Sequence, residues 1–349
     1  MSETTYCDTL ENPPFWPRIR HKFREPFAEF LGTFILILFG DGVVAQVVLS
    51  SNKNGSYQSI SWCWGIGVMF GVYVSGGISG GHLNPAVTFA NCVLRKFPWK
   101  KLPIYVVAQL LGAFCAAFVV YGNYKSAFDY YAGMGVRDVT GDVSTAGIFC
   151  TYPASFMTRT GMVFSEIIGS SILMLCIYAI NDSNNMAAGP LGPLILFFLI
   201  FGIGASFGWE TGYAINPARD FGPRMASYIL GYGPKVFTAG GTYFWIPIVC
   251  PVIGCTFGGF LYDLFIYTGT ESPINQPYFG ITRLANKSSK NEDVEKSKHN
   301  DRILAGFVHG HSEHPVLETV TYADEHPEHM TTMSATQTSK ARVEQLEQL

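Results

Sequence analysis

"HLNPAVTFA", residues 82–90, and "AINPARDFG", residues 214–222, are the two stretches on which the reading of this chain turns. Each contains Asn-Pro-Ala. Asparagine is a favoured helix N-cap and proline is preferred at the first helical position, so each stretch opens a helix, at Asn84 and at Asn216. Each follows a long apolar run, "GIGVMFGVYVSGGISG" (65–80) and "LILFFLIFGIGASFGW" (194–209). The helices they open, "NPAVTFANCVL" and "NPARDFGPRMA", are too short to cross about 30 Å of hydrocarbon. One such turn would read as an ordinary cap. Two at matching places predict a pair of half-helices.

The surrounding composition is that of a membrane chain. Of 349 residues, 48% are hydrophobic and 14% charged, well below the ~25% charged of a soluble domain, and the mean hydropathy is +0.21. Charges are sparse from Pro26 to about Thr270 and dense at both ends. Six segments carry the roughly 20 apolar residues that a span requires: about 27–49, 60–79, 102–122, 162–180, 191–208 and 244–267. "GVMFG" (67–71), "GASFG" (204–208) and "GCTFG" (254–258) match GxxxG, a pattern that lets helix backbones approach closely in lipid. The net charge of −3 and the lack of a basic, aromatic-interleaved cluster speak against nucleic acid as a partner. No cleavable leader pattern precedes the first span. Six of the eight cysteines fall in apolar segments without CxxC or Cys/His spacing, so a metal or disulfide framework is not expected.

The two halves repeat one another. "EFLGTFILIL" from Glu29 matches "EIIGSSILML" from Glu166, the two Asn-Pro-Ala stretches match, and "AQLLGAFCAAF" (108–118) matches "CPVIGCTFGGF" (250–260). Three spans per half force the second copy to be inverted in the membrane. Inverted repeats with broken helices meeting near the midplane are a feature of transport proteins. The expected fold is therefore an all-α membrane protein, with six transmembrane helices and two re-entrant half-helices in an inverted repeat. Its parts are an N-terminal tail (1–26), a channel domain (27–271, with repeats at 27–122 and 162–267) and a polar C-terminal tail (272–349).

Inversion brings the two half-helix N-termini together at the centre. Irregular backbone survives at that depth only when buried or lining a wet cavity. Gly80 to Leu83 and Gly212 to Ile215 are expected to turn carbonyls toward such a cavity. Facing N-termini carry partial positive charge, about +0.5 each, and the Asn84 and Asn216 amides can cap with oxygen while aiming N–H donors inward. Water or an alcohol oxygen accepts those bonds, whereas a cation is repelled. Glu29 and Glu166 are costly intramembrane carboxylates. Their symmetric placement favours a scaffold role, each accepting N–H bonds from its own half's re-entrant loop, over a proton relay. His82 is read as an anchor of the first loop rather than a metal ligand.

These residues resemble the major intrinsic proteins, the aquaporin and aquaglyceroporin family, over residues 27 to about 270. "GYAINPARDFGPR" is similar to the glycerol-facilitator branch, in which aspartate follows the arginine. The resemblance implies one pore per subunit, a homotetramer, no enzymatic activity and no cofactor. It also implies pore motifs at Asn84, Pro85, Ala86 and at Asn216, Pro217, Ala218, with a selectivity filter of Trp64, Gly204, Tyr213 and Arg219. In that filter Arg219 offers hydroxyl donors and a cation-repelling charge. The aromatic faces suit a polyol's carbon side, and Gly204 leaves space. Without the motif, Trp64 and Tyr213 would read as interfacial or core aromatics. Tyr213, a phenylalanine in the bacterial facilitator, leaves the water-to-glycerol preference open. Asp220 is read as a brace for the half-helix and the arginine's surroundings. Asp41 has no derivable role.

Basic residues Arg18, Arg20, Lys22, Arg24, Arg95, Lys96, Lys100 and Lys101 flank the first span and follow the second. They predict cytoplasmic termini and an outer loop at 123–161; the plasma membrane is the expected location. In that topology Asn54 is the one sequon outside, with Asn181 and Asn286 inside. "NPPFWP" (12–17) has two readings, an aromatic tucked into the inner mouth or a membrane-surface anchor. "HGHSEH" (309–314) and Ser288, Ser289 and Ser297 belong to the tail, which reads as disordered. Three function classes follow: a passive channel for glycerol, small neutral polyols and water; a coupled transporter using Glu29 or Glu166; and an adhesion or scaffold protein. The paired Asn-Pro-Ala segments favour the first, with a water-preferring channel as its near alternative.

Overall fold

The glycines and prolines punctuate a chain that is otherwise helical. The computed structural model describes residues 14–280, in which ten α-helices follow in order: α1 (Phe15–Lys22), α2 (Arg24–Leu49), α3 (Tyr57–Ser79), α4 (Pro85–Leu94), α5 (Leu102–Ala132), α6 (Arg159–Asn181), α7 (Gly192–Thr211), α8 (Pro217–Ser227), α9 (Lys235–Thr242) and α10 (Ile246–Phe265). Six helical segments are long and apolar enough to cross a membrane, those carrying α2, α3, α5, α6, α7 and α10. The protein is a multi-pass membrane protein.

The inverted repeat is visible in the packing. Helix α2 packs against α3 and α5, and its counterpart α6 packs against α7 and α10. The half-helices are exchanged: α4 lies on α10 of the second half and α8 on α5 of the first. Helices α3 and α7 close the seam between halves.

Close packing rests on small residues, as lipid offers no hydrophobic force between helices. A Cβ on Gly67 would lie 2.7 Å from the Leu36 carbonyl oxygen, and one on Gly254 would lie 2.5 Å from that of Ile167. The "GASFG" copy behaves otherwise. A Cβ on Gly204 would meet the Tyr213 ring at 2.8 Å. This pattern makes room for an aromatic ring rather than for a neighbouring helix backbone.

Helix α5 continues ten residues beyond the expected span end, to Ala132, so the outer loop starts there and not at residue 123. Hydropathy marks where the apolar side chains stop, not where the helix does. At ~1.5 Å per residue, its 31 residues reach about 46 Å. The extension is held by Phe128, fully buried and stacked on Phe149 at 5.8 Å. It is also held by Asp129, bonded to Arg137 at 2.7 Å.

Before the first span, α1 is short and exposed, and its Trp16 leans on Phe27 of α2 at 6.0 Å. The Trp16 side chain thus sits beside the first span and is not among the residues lining the central cavity. Residues 273–280, assigned from the sequence to the polar tail, form two 3-10 turns. Asn275 Nδ2 donates to the Tyr267 and Gly269 carbonyls there. Residues 309–314, Ser288, Ser289, Ser297 and Asn286, singled out in the sequence, lie outside the described residues.

Candidate functional site

Two glycines stop the helices that lead into the centre. Gly80 ends α3 and Gly212 ends α7, both with left-handed backbone at φ +90° and +76°, a conformation glycine adopts without strain. Four residues later come Asn84 and Asn216. The residues just before them, Leu83 and Ile215, also have positive φ, +52° and +43°. For Ile215, whose side chain is β-branched, that is an outlier held in place by its surroundings.

Two buried carboxylates do the holding. Glu29 accepts from the backbone N–H of His82 at 2.9 Å and Leu83 at 2.8 Å, from Ser79 Oγ at 2.5 Å and from Gln109 Nε2 at 2.7 Å. Glu166 accepts from the N–H of Ala214 at 3.0 Å and Ile215 at 2.9 Å, and from the Tyr243 hydroxyl at 3.3 Å. Both are 0% exposed. In a medium without water these bonds replace what the irregular backbone would otherwise lack. His82 is wedged between Phe97 and Tyr105, with Nδ1 3.1 Å from Thr88 Oγ1.

The two asparagines cap their own helices and cross-link the loops. Asn84 Oδ1 accepts from Ala86 N at 2.8 Å, and Asn216 Oδ1 accepts from Ala218 N at 2.9 Å and Arg219 N at 3.3 Å. Pro85 and Pro217 supply the first helical residues. Asn84 Nδ2 donates to the Ile215 carbonyl at 2.9 Å, and Asn216 Nδ2 donates to the Leu83 carbonyl at 2.8 Å. The sequence reading aimed the amide donors inward. The structure spends one N–H of each amide on the opposite loop, leaving one each for the lumen. The carbonyls of Leu83 and Ile215 are likewise engaged.

A cavity of about 800 Å³ passes this junction. It runs from Arg95, Tyr267 and Glu271 at one end, past Asn84 and Asn216, to Trp64, Tyr213 and Arg219 near the other. The Arg219 guanidinium lies over the Trp64 ring, 4.0 Å from its centroid, and Nη1 donates to the Phe149 carbonyl at 3.3 Å. Gly204 is not on the wall. The Tyr213 ring fills the space that the missing side chain leaves, so the glycine creates room for the tyrosine and the tyrosine meets the lumen. The Gly204 carbonyl accepts from the Tyr57 hydroxyl at 3.0 Å.

Asp220 faces away from the cavity and is fully buried. It accepts from Thr151 N at 2.8 Å and Oγ1 at 2.7 Å, and from Arg224 Nε at 2.7 Å and Nη2 at 3.0 Å. Arg224, also fully buried, donates onward to the carbonyls of Val236 and Thr151. This cluster pins the segment that presents the Phe149 carbonyl to Arg219. Beside it, burial pushes the Cys150 thiol up to about 11.

At the opposite end, Arg95 forms a two-pronged pair with Asp263 at 2.5 and 2.7 Å, between the rings of Tyr178 and Tyr267. The hydroxyl of Tyr267 donates to Glu271 at 2.6 Å, which lowers the Glu271 carboxyl below its usual range.

Sequence reasoning missed Phe149, Thr151, Arg224, Gln109 and Tyr243. An internal arginine four residues after Asp220 was the one available signal, as i,i+4 spacing puts the two on one helix face.

Comparison with known proteins agrees with this architecture. The family model described as Major intrinsic protein matches residues 18–262. The chain is 68% identical over 270 residues to "Aquaglyceroporin-9" of Botryotinia fuckeliana (strain B05.10), covering 77% of this chain and 59% of that one. It is 68% identical over 280 residues to "Probable aquaglyceroporin-2" of Gibberella zeae, covering 79% and 83%. The X-ray structure of the aquaglyceroporin from Plasmodium falciparum is similar with a TM-score of 0.62 and 36% identity, covering 70% of this chain and 96% of that one. With its family model matched over both Asn-Pro-Ala loops and its fold shared, the chain belongs to the major intrinsic protein family.

Proposed function

We propose that the protein is a passive channel that conducts glycerol, other small neutral polyols and water, and excludes ions and protons. The observation that carries this reading is the continuous cavity whose wall presents Asn84 and Asn216 at its centre and Trp64, Tyr213 and Arg219 near its end. A polyol has hydroxyls along one edge and carbon along the other. Arg219 and the free amide hydrogens serve the hydroxyls, and the two aromatic faces serve the carbons. The names of the fungal relatives and of the Plasmodium structure support glycerol as the permeant.

Cation exclusion follows from the same parts. Two half-helix N-termini and a guanidinium repel cations at the constriction, and among the described residues no ring of carboxylates lines it to replace a cation's water. Glu29 and Glu166 are engaged by their loops, which favours a scaffold over a coupling role. The basic residues Arg95, Lys96 and Lys101 share one end with Glu25 and Thr270, and the positive-inside rule makes that end cytoplasmic. Both termini then face the cytoplasm, and we assign the protein to the plasma membrane. Exposed rings such as Phe70, Phe198 and Phe257 suit lipid or neighbouring copies in a homotetramer.

Stopped-flow swelling of reconstituted vesicles tests the reading. Glycerol and water gradients should both relax faster than in empty vesicles, and an imposed proton gradient should not drive glycerol uptake. Water flux without glycerol flux would overturn the polyol assignment.

A further inference from the structure

Asp41 stands one residue beyond Gly40 on α2, in the outer half of the bundle, and is 0% exposed. Neither of its carboxylate oxygens has a hydrogen-bond partner among the described residues. Buried carboxylates are otherwise well supplied here: Glu29, Glu166 and Asp220 each accept several bonds, and Asp263 is paired with Arg95. The nearest cation to Asp41 is Arg219, whose Nη1 is 3.9 Å from Oδ1. That distance is outside hydrogen-bond range but well inside strong Coulomb range in a dry interior. Asp220 cannot serve as the counter-charge of Arg219, because Arg224 and Thr151 occupy it.

The charges therefore sort into two pairs. Asp220 and Arg224 neutralise each other behind the cavity wall. Asp41 and Arg219 remain, one buried behind the wall and one on it. The guanidinium is otherwise held by one carbonyl, that of Phe149, and by the face of Trp64. Trp64 itself packs on Gly40, the neighbour of Asp41.

We propose that Asp41 is the counter-charge and positioning residue of Arg219, setting the net charge that an ion meets at the constriction. A lone guanidinium on a low-dielectric wall repels cations but attracts anions. With a carboxylate held 3.9 Å behind it, the wall keeps its N–H donors for hydroxyls while its net charge falls toward zero. Neutral solutes then meet donors, and anions meet no net attraction. This proposal rests on the placement of Arg219 at the filter given above.

The test is the chloride permeability of full-length protein in planar bilayers under a potassium chloride gradient, with assembled protein counted by fluorescence size exclusion. Asp41→Asn keeps the shape and removes the charge. Chloride conductance should rise about tenfold or more, and the reversal potential should move toward that of chloride. Asp41→Leu, which also removes the unpartnered oxygens, should show the same shift. Adding Arg219→Leu to Asp41→Asn should abolish the chloride conductance, as the uncompensated charge is gone. Packing damage alone would let the leak persist in the double variant, and that result overturns the proposal. So does an unchanged reversal potential in assembled Asp41→Asn and Asp41→Leu. If Arg219 variants alter ion exclusion while Asp41 variants do not, the filter stands and the counter-charge fails. If neither alters it, the filter reading itself is wrong.

Discussion

Asn84 and Asn216, 132 positions apart in the chain, each donate a hydrogen bond to the carbonyl that precedes the other, at 2.9 and 2.8 Å. The junction of the two half-helices is thus a reciprocal pair, with each asparagine capping its own helix and fastening the opposite loop. Replacing Asn216 with alanine removes a cap worth about 1 kcal/mol and a cross-loop bond worth about 0.5–1.5 kcal/mol. Thermal unfolding of the detergent-solubilised protein should shift down, and both water and glycerol flux should fall. The double variant with Asn84→Ala should be less than additive, because each alteration already breaks the junction.

Glu166 is expected to matter through the bonds it accepts. In Glu166→Ala the N–H groups of Ala214 and Ile215 lose their acceptors, at about 1–3 kcal/mol each. Glu166→Gln retains one acceptor oxygen and should be milder. Thermostability should rank wild type, Gln, Ala. Glycerol uptake should be indifferent to a proton gradient in both the wild type and the Gln variant; a gradient response in the wild type that the Gln variant loses would restore the transporter reading.

A histidine at position 204 meets the Tyr213 ring, since even a Cβ there would lie 2.8 Å from it. The tyrosine must then move into the lumen. Glycerol flux should drop sharply while water flux persists in part, measured by stopped-flow swelling on equal amounts of inserted protein. Tyr213→Phe removes only a hydroxyl buried beside Gly204, so the glycerol-to-water ratio should stay close to that of the wild type.

The buried pair of Asp220 and Arg224 should show strong non-additivity. Arg224→Met leaves a buried carboxylate short of its cation and should cost about 3–5 kcal/mol. Combining it with Asp220→Leu should cost less than the sum of the two single changes. Thermal unfolding of the four proteins reads the coupling directly.

Cys150 should resist thiol reagents near neutral pH. Its thiol is 1% exposed and pushed up to about 11, and only the thiolate is nucleophilic. Because the shift is upward, reactivity should stay low until pH approaches that value. Peptide mapping after N-ethylmaleimide treatment at pH 7.5 should find Cys150 unmodified in folded protein and modified after denaturation.

Much of this architecture is written in local chemistry. An N-cap asparagine, a proline at the first helical position and a glycine stop act within a few residues, so the half-helices could be read from "HLNPAVTFA" and "AINPARDFG" alone. Apolar runs report the spans for the same reason, as each crossing must satisfy the bilayer by itself. The order Glu, Asn-Pro-Ala, small-residue span, occurring twice, carried the inversion. Where the cue was composition rather than bonding, the reading drifted: polarity after residue 122 masked a helix that continues on contacts of Phe128 and Asp129.

What only the tertiary structure decided is who stands opposite whom. The sequence determined that Glu29 and Glu166, and Asn84 and Asn216, recur in a two-fold pattern, with Arg219 on the second copy alone, but partners are chosen by packing between distant segments. Thr151 reaches Asp220 across 69 positions and Phe149 meets Arg219 across 70, separations that no local periodicity encodes. Asp41 shows the limit most plainly. Along the chain it is one acid in an apolar helix; in the fold it is a buried carboxylate 3.9 Å from Arg219. Gly204 shows it too, since a missing side chain tells nothing of which neighbour fills the space, and here that neighbour is Tyr213. Caps and spans are satisfied by nearby residues and are legible in order. Burial and charge compensation depend on all surrounding elements at once, and they appear only when the helices are packed.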